Sequence, residues 1–163
     1  MAPQPSSRAQ KVALATAIAT ALAIPAEGLR RVAYYDPPGI LTVCRGHTGP
    51  DVVKGKVYSL AECDAFMTQD MRQAVAAVER CVPGLPVNVL AAFSDATFNI
   101  GSKIACDLKK STAARMLRAG DYRGACYQLT RWNKAVILGV MLPLPGLTTR
   151  RGAEKALCLD GLA

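Results

Sequence analysis

The chain has 163 residues, 51% of them hydrophobic, which is enough for one domain with a real core and excludes wholesale disorder. A net charge of +8 points to an anionic partner: nucleic acid, a membrane surface or a cell-wall polymer. The basic residues are scattered and only 6% of residues are aromatic, so no nucleic-acid partner is expected.

Residues 1–11 are polar and carry Arg8 and Lys11. Val12 to Ala26 then carry no charge, with seven alanines, two threonines, and Leu14, Ile18 and Leu22 at four-residue spacing. A basic flank before an apolar run has the form of an export signal, and Ala21-Leu22-Ala23 mimics a small-x-small cleavage site. As a membrane span the run is short and feebly apolar.

The block from Ala26 to Gly49 follows, AEGLRRVAYYDPPGILTVCRGHTG. Glu27 lies near the end of the helix-compatible run, Asp36 opens a Pro-Pro-Gly turn, and Thr42 lies in a short strand-like run, Ile40 to Cys44. Singly, each has a structural reading: a solvated acid, a turn former and a β-branched strand residue. Together, a helix end, a turn and a strand can place two carboxylates and a hydroxyl around one small volume. Glycosidic cleavage uses such a set: one carboxylic acid protonates the leaving oxygen, and the other carboxylate faces the opposite side of the sugar.

Ser59-Leu-Ala-Glu62 is a capping box that opens a helix running to about Cys81, with Leu60, Phe66, Met67, Met71, Val75 and Val78 on one face. Val87 to Ile100 reads as a buried helix, ended by Asn99-Ile100-Gly101. Lys109 to Ala119 reads as a short basic amphipathic helix, and Tyr122 to Trp132 begins a last helical group. Val136 to Leu147, VILGVMLPLPGL, reads as an apolar, proline-broken loop that either lines a cleft or touches membrane.

Six cysteines without a Cys-x2-Cys pair, and a single histidine, His47, favour disulfides over a metal site and an oxidising compartment over the cytosol. No metal or cofactor is expected. Sequence alone leaves the connectivity open. Cys81–Cys106 is favoured because both flank the same proline-bounded helix, and Cys44–Cys63 and Cys126–Cys158 follow by elimination and rough proximity.

Glu-x8-Asp-x5-Thr followed by Val-Cys-Arg-Gly-His-Thr-Gly resembles the catalytic signature of the phage lysozymes related to that of the T-even bacteriophages. Phe98-Asn99-x-Gly101, Gly-Ala-Cys126 with Arg131-Trp132, and Arg150-Arg151-x-x-Glu154 resemble further segments of that family. The resemblance implies an α+β, mainly helical fold of two lobes, with a small β-hairpin lobe and a long connecting helix. It implies an endolysin that hydrolyses the β-1,4 bond between N-acetylmuramic acid and N-acetylglucosamine in peptidoglycan, with inversion. The other class of reading is a non-catalytic cationic protein that binds membrane or wall on the same fold.

By resemblance Glu27 is the general acid, Asp36 and Thr42 position the water, and Arg150 sits beside the acid, with Arg151 the second choice. To donate a proton near neutral pH, Glu27 needs shelter from water. His47, Asn99, Gly101 and Arg131 are supporting candidates, His47 as a structural residue that holds the hairpin. Residues 1–26 resemble a signal-anchor-release segment, and residues 27–163 form the lysozyme domain. The implied route starts in the host inner membrane, N-terminus cytoplasmic and enzyme inactive, and ends with a monomer released to the periplasm.

Overall fold

Across residues 7–163, which the computed structural model describes, the buried apolar side chains sort into two separate cores. The smaller core gathers Val43, Cys44, Val52 and Tyr58 around Cys63, with Ala33, Leu41 and Phe66 against them. It supports a three-stranded antiparallel sheet of β1 (Arg30–Tyr35), β2 (Leu41–Cys44) and β3 (His47–Thr48), in the order β1-β2-β3. Tyr34 pairs with Thr42 and Tyr35 with Leu41, so Asp36 falls at the turn just beyond the last pair.

The second core is helical and centres on α3 (Val87–Ile100). From Val89 to Thr97 every residue of this helix is buried, Ser94 and Asp95 included. A helix apolar on all sides has to be surrounded, and α1 (Arg8–Ala23), α2 (Leu60–Cys81) and α7 (Pro145–Asp160) surround it. The expected capping box is present on α2: Ser59 Oγ accepts from the Glu62 amide and the Glu62 carboxylate accepts from the Ser59 amide. Its Cys63 and Phe66 belong to the small core and residues from Met67 to Cys81 border the large one, so one helix of roughly 33 Å fixes the spacing of the lobes.

α1 has its own capping box, Ser7 with Gln10. Ala15, Ala19 and Ala23 form a fully buried stripe at four-residue spacing, and Arg8 pairs with Glu79 of α2 at 2.8 Å. The stripe belongs to the same core as α3, so the N-terminal run is packed into the helical lobe. Arg8–Ala26 is nonetheless long and apolar enough to cross a membrane by length and composition, with a mean hydropathy of 1.4. Pro25 ends α1 in a 3-10 turn, Ile24–Ala26, which delivers Glu27 in an extended conformation.

The three disulfides are Cys44–Cys63, Cys81–Cys106 and Cys126–Cys158. They tie β2 to α2, the end of α2 to α4 (Lys103–Cys106), and α6 (Tyr122–Gln128) to α7. Two expectations shift. The helix expected from Lys109 begins at Thr112 as α5 (Thr112–Ala119), because Asp107 Oδ1 accepts from the amides of Lys109 and Lys110 and Ser111 becomes the N-cap. The apolar loop is a hairpin, β4 (Lys134–Ile137) with β5 (Val140–Pro143). Its two-residue turn, Leu138-Gly139, has both φ angles positive, 49° and 79°, as the right-handed twist of a hairpin requires.

His47 clamps the small lobe to α2. Its ring lies 3.9 Å from that of Phe66, nearly parallel; Nδ1 faces Asp70 at 2.8 Å and Nε2 faces Asp51 at 3.0 Å. Gly49, at φ 149°, turns the chain so that Asp51 comes back to the ring, and a Cβ there would stand 2.8 Å from Asp51 Oδ1. Only an imidazolium can donate to both carboxylates at once. Burial works against its charge, but hydrogen bonds to Asp70 and Asp51 outweigh burial and raise the His47 pKa above its ordinary value. A raised pKa contributes stability that is complete below the unfolded value, about 6.5, and lost as pH rises through the folded one. The stability gap between wild type and His47→Asn, measured by urea unfolding, is therefore expected to be widest below about pH 6.5 and to narrow steadily above it. A gap that does not change with pH contradicts the charged clamp.

Candidate active site

Glu27 stands between the end of α1 and the start of the sheet, its side chain 22% exposed and lining a cleft of about 500 Å³. Arg45, Gly46 and Thr48 of the small lobe form one wall of the cleft. Asp70 and Gln73 of α2, with Thr97, Phe98 and Asn99 of α3, form the other, so it lies between the lobes. A second cleft, bounded by Leu22 and Pro25 on one side and Leu144, Leu147 and Arg150 on the other, also opens onto Glu27 and Asn99.

Behind Glu27 lies a buried ionic network. Arg150 Nη1 donates to Glu27 Oε1, while Nε and Nη2 form a fork on Asp95, at 3.0 Å to Oδ2 and 2.7 Å to Oδ1. Asp95 is fully buried and Arg150 nearly so. Burial disfavours the Arg150 charge, but Asp95 and then Glu27 outweigh it and raise its pKa above the ordinary value. The planar fork fixes the guanidinium, and only Nη1 is left to reach the cleft.

Arg151, also fully buried, donates through Nη2 to Asn99 Oδ1 at 3.0 Å and to Glu154 Oε1. Burial pushes the Glu154 carboxyl up to about 9, and a hydrogen bond with Asp95 adds to the rise. Both effects favour the protonated form of Glu154, against the opposing pull of Arg151.

Asp36 and Thr42 meet at the tip of the β1–β2 hairpin. Asp36 Oδ1 accepts from the Ile40 amide at 2.7 Å, closing the turn, and Oδ2 lies 3.5 Å from Thr42 Oγ1. The Thr42 hydroxyl also donates to the Ile40 carbonyl at 3.0 Å, the better of its two contacts. Thus Glu27, Asn99 and Arg150 form one group and Asp36 with Thr42 another; neither Asp36 nor Thr42 lines the two clefts at Glu27. Gly101, at φ 88°, caps α3, and Arg131 is exposed and bonded to Gln128. Sequence reasoning passed over Asp95, although an acid inside the run Val89 to Phe98 has to find a cation. It also passed over Asp51 and Asp70, which give no local signal.

The network predicts two contrasting substitutions. Glu154→Gln reproduces the protonated acid, so stability at neutral pH should change by less than about 1 kcal/mol. Asp95→Ala strands the buried Arg150 and should cost about 3–5 kcal/mol, read by chemical denaturation. Equal costs would show that Glu154 is ionised.

Comparison with known proteins agrees with this architecture. Residues 25–154 match the family model for phage lysozyme. The chain is 37% identical to the SAR-endolysin of Bacteriophage PS119 over 136 residues, covering 83% of this chain and 77% of that one. Among solved structures, the muramidase domain of SpmX from Asticaccaulis excentricus superposes with a TM-score of 0.76 at 29% identity, covering 86% of this chain and 94% of that one. The active form of the P1 phage endolysin Lyz, at 23% identity, shares the fold with a TM-score of 0.75 over 97% of this chain and 96% of that one. With the match extending over most of its length, from the 3-10 turn before Glu27 to Glu154 of the closing helix, the chain belongs to the phage lysozyme family.

Proposed function

We propose that this lysozyme, an endolysin, cuts the β-1,4 bond between N-acetylmuramic acid and N-acetylglucosamine in peptidoglycan, with Glu27 as general acid and Asp36 and Thr42 as the water-binding pair. The observation that carries the reading is the placing of Glu27: it lines the interlobe cleft, with one carboxylate oxygen held by a fixed Arg150. That grip leaves Oε2 to face the sugar and deliver the proton to the leaving oxygen.

On the hairpin, the Thr42 proton is committed to the Ile40 carbonyl. Its lone pairs, beside Asp36 Oδ2, can accept from a water that donates its other hydrogen to Asp36. That water keeps a lone pair for attack on the anomeric carbon, and Asp36 takes its proton as the bond forms. Attack from the face opposite the leaving group inverts the centre, a geometry that needs carboxyls roughly 6.5–9.5 Å apart.

Glu27→Gln should leave unfolding unchanged and abolish clearing of cell walls in a turbidity assay, since an amide cannot supply the proton. Asp36→Asn should lower the rate by about 100-fold or more, and Thr42→Ala by less. Clearing by Glu27→Gln at the wild-type rate would overturn the assignment of the acid.

We further propose that α1 begins as an anchor in the host inner membrane and docks on the domain after release to the periplasm. The alanine stripe that packs against the helical core supports this, because the same small side chains hold a membrane helix only weakly. Ala13 and Ala17 are exposed on the docked helix. Leucine at both should leave the folded enzyme intact yet shift the protein from the soluble fraction to the membrane pellet. A soluble, active enzyme whose sequence starts at Ile24 would instead establish a cleaved signal.

A further inference from the structure

We propose that the β4–β5 hairpin is a peripheral membrane-binding element that seats the folded enzyme on an anionic lipid surface. The cross-strand pairs are Lys134 with Pro143, Ala135 with Leu142, Val136 with Met141, and Ile137 with Val140. Alternate pairs face opposite sides of a ribbon, so both faces are apolar. Leu138 at the tip is 100% exposed; Val136, Val140 and Met141 are each more than half exposed. Neither core of the protein includes a residue from Lys134 to Pro143.

The tip carries a cost that the fold does not recover. Leu138 holds φ at 49°, a conformation natural to asparagine, aspartate or glycine and strained for leucine. A strained, fully exposed leucine makes no use of its side chain within the chain itself. The occupant follows from shape and charge. A protein groove covers one face of a ribbon, whereas entry into the acyl boundary of a bilayer covers both faces and the tip together.

From Tyr122 to Ala153 the chain has no acidic residue; Lys134 in the first pair of the hairpin and Arg131 just before it are exposed, as is Arg123 in α6. That is the distribution attracted to phosphatidylglycerol-type headgroups. Insertion is shallow, because the unpaired backbone groups on the outer edges of two strands cannot enter hydrocarbon without cost. The foot is anchored: Leu144 N–H donates to the Asn133 carbonyl at 2.9 Å, and Asn133 Nδ2 donates to Thr148 at 3.0 Å. The seat therefore acts on α7, and the proposal does not depend on whether α1 starts in a membrane.

The test uses the full chain in its soluble, disulfide-bonded form, sedimented with vesicles of phosphatidylethanolamine and phosphatidylglycerol, or of phosphatidylcholine alone. Wild type should pellet with the anionic vesicles and less with the neutral ones, and Lys134→Glu should reduce that difference. Leu138→Asn suits the positive φ, so it should unfold at the same or a higher temperature while its partition to anionic vesicles falls about tenfold. Met141→Gln, within a strand, should lower it in the same direction. Hydrolysis of soluble wall fragments should be unchanged in both variants. Equal partition of Leu138→Asn and wild type would overturn the proposal. So would a wild type that ignores vesicles but self-associates through a contact that Leu138→Asn abolishes.

Discussion

Arg150 donates two of its hydrogen bonds to Asp95 in the middle of α3 and a third to Glu27 at the cleft, and the order of strength matters. The fork on a fully buried carboxylate is shielded from water and rigid, whereas the Glu27 contact is single and partly exposed. The guanidinium is thus held by the core and offered to the acid, not the reverse. Glu27 inherits its position from a helix far away in sequence, through a side chain that spans the distance from core to solvent.

That arrangement explains the placing of the other constraints. α7 carries Arg150, Arg151 and Glu154 in its first three turns, and its far end is fastened to α6 by Cys126–Cys158. The small lobe is fastened to α2 covalently by Cys44–Cys63, and by the ion pairs of His47 with Asp70 and of Arg45 with Asp64. Asp36 and Thr42 ride on this small lobe, and Glu27 is coupled to the large one. Their relative position therefore depends on the stiffness of α2, whose other end is clamped to α4 by Cys81–Cys106.

Much of this was legible in the sequence. The capping box at Ser59, the unbroken apolar run of α3 and the even cysteine count each have one dominant physical reading, and the structure follows all three. Arg150 as partner of Glu27 came from a resemblance, because no local pattern links residues so far apart. Val136 to Leu147 reads as a loop because its prolines signal breaks, whereas Val136 to Pro143 lie in the hairpin and Pro145 to Leu147 open α7. Pro143 instead occupies the last paired position, where a missing amide matters least. The burial of Arg151 and the upward shift of Glu154 were not legible: both depend on how α3 and α7 meet.

The short path from Ala23 through Pro25 to Glu27 joins the end of α1 to the acid, so the proposed docking of α1 would also complete the cleft. The residues that end the helix also aim the acid at Arg150, so any molecule that binds the finished cleft better than an unfinished one favours the seated helix by the same free energy. The wall polymer then acts as more than the thing cut. On the proposed docking of α1, a polymer that occupies the cleft would draw the N-terminal helix onto the protein, and its local abundance would become a thermodynamic pull on the docked conformation.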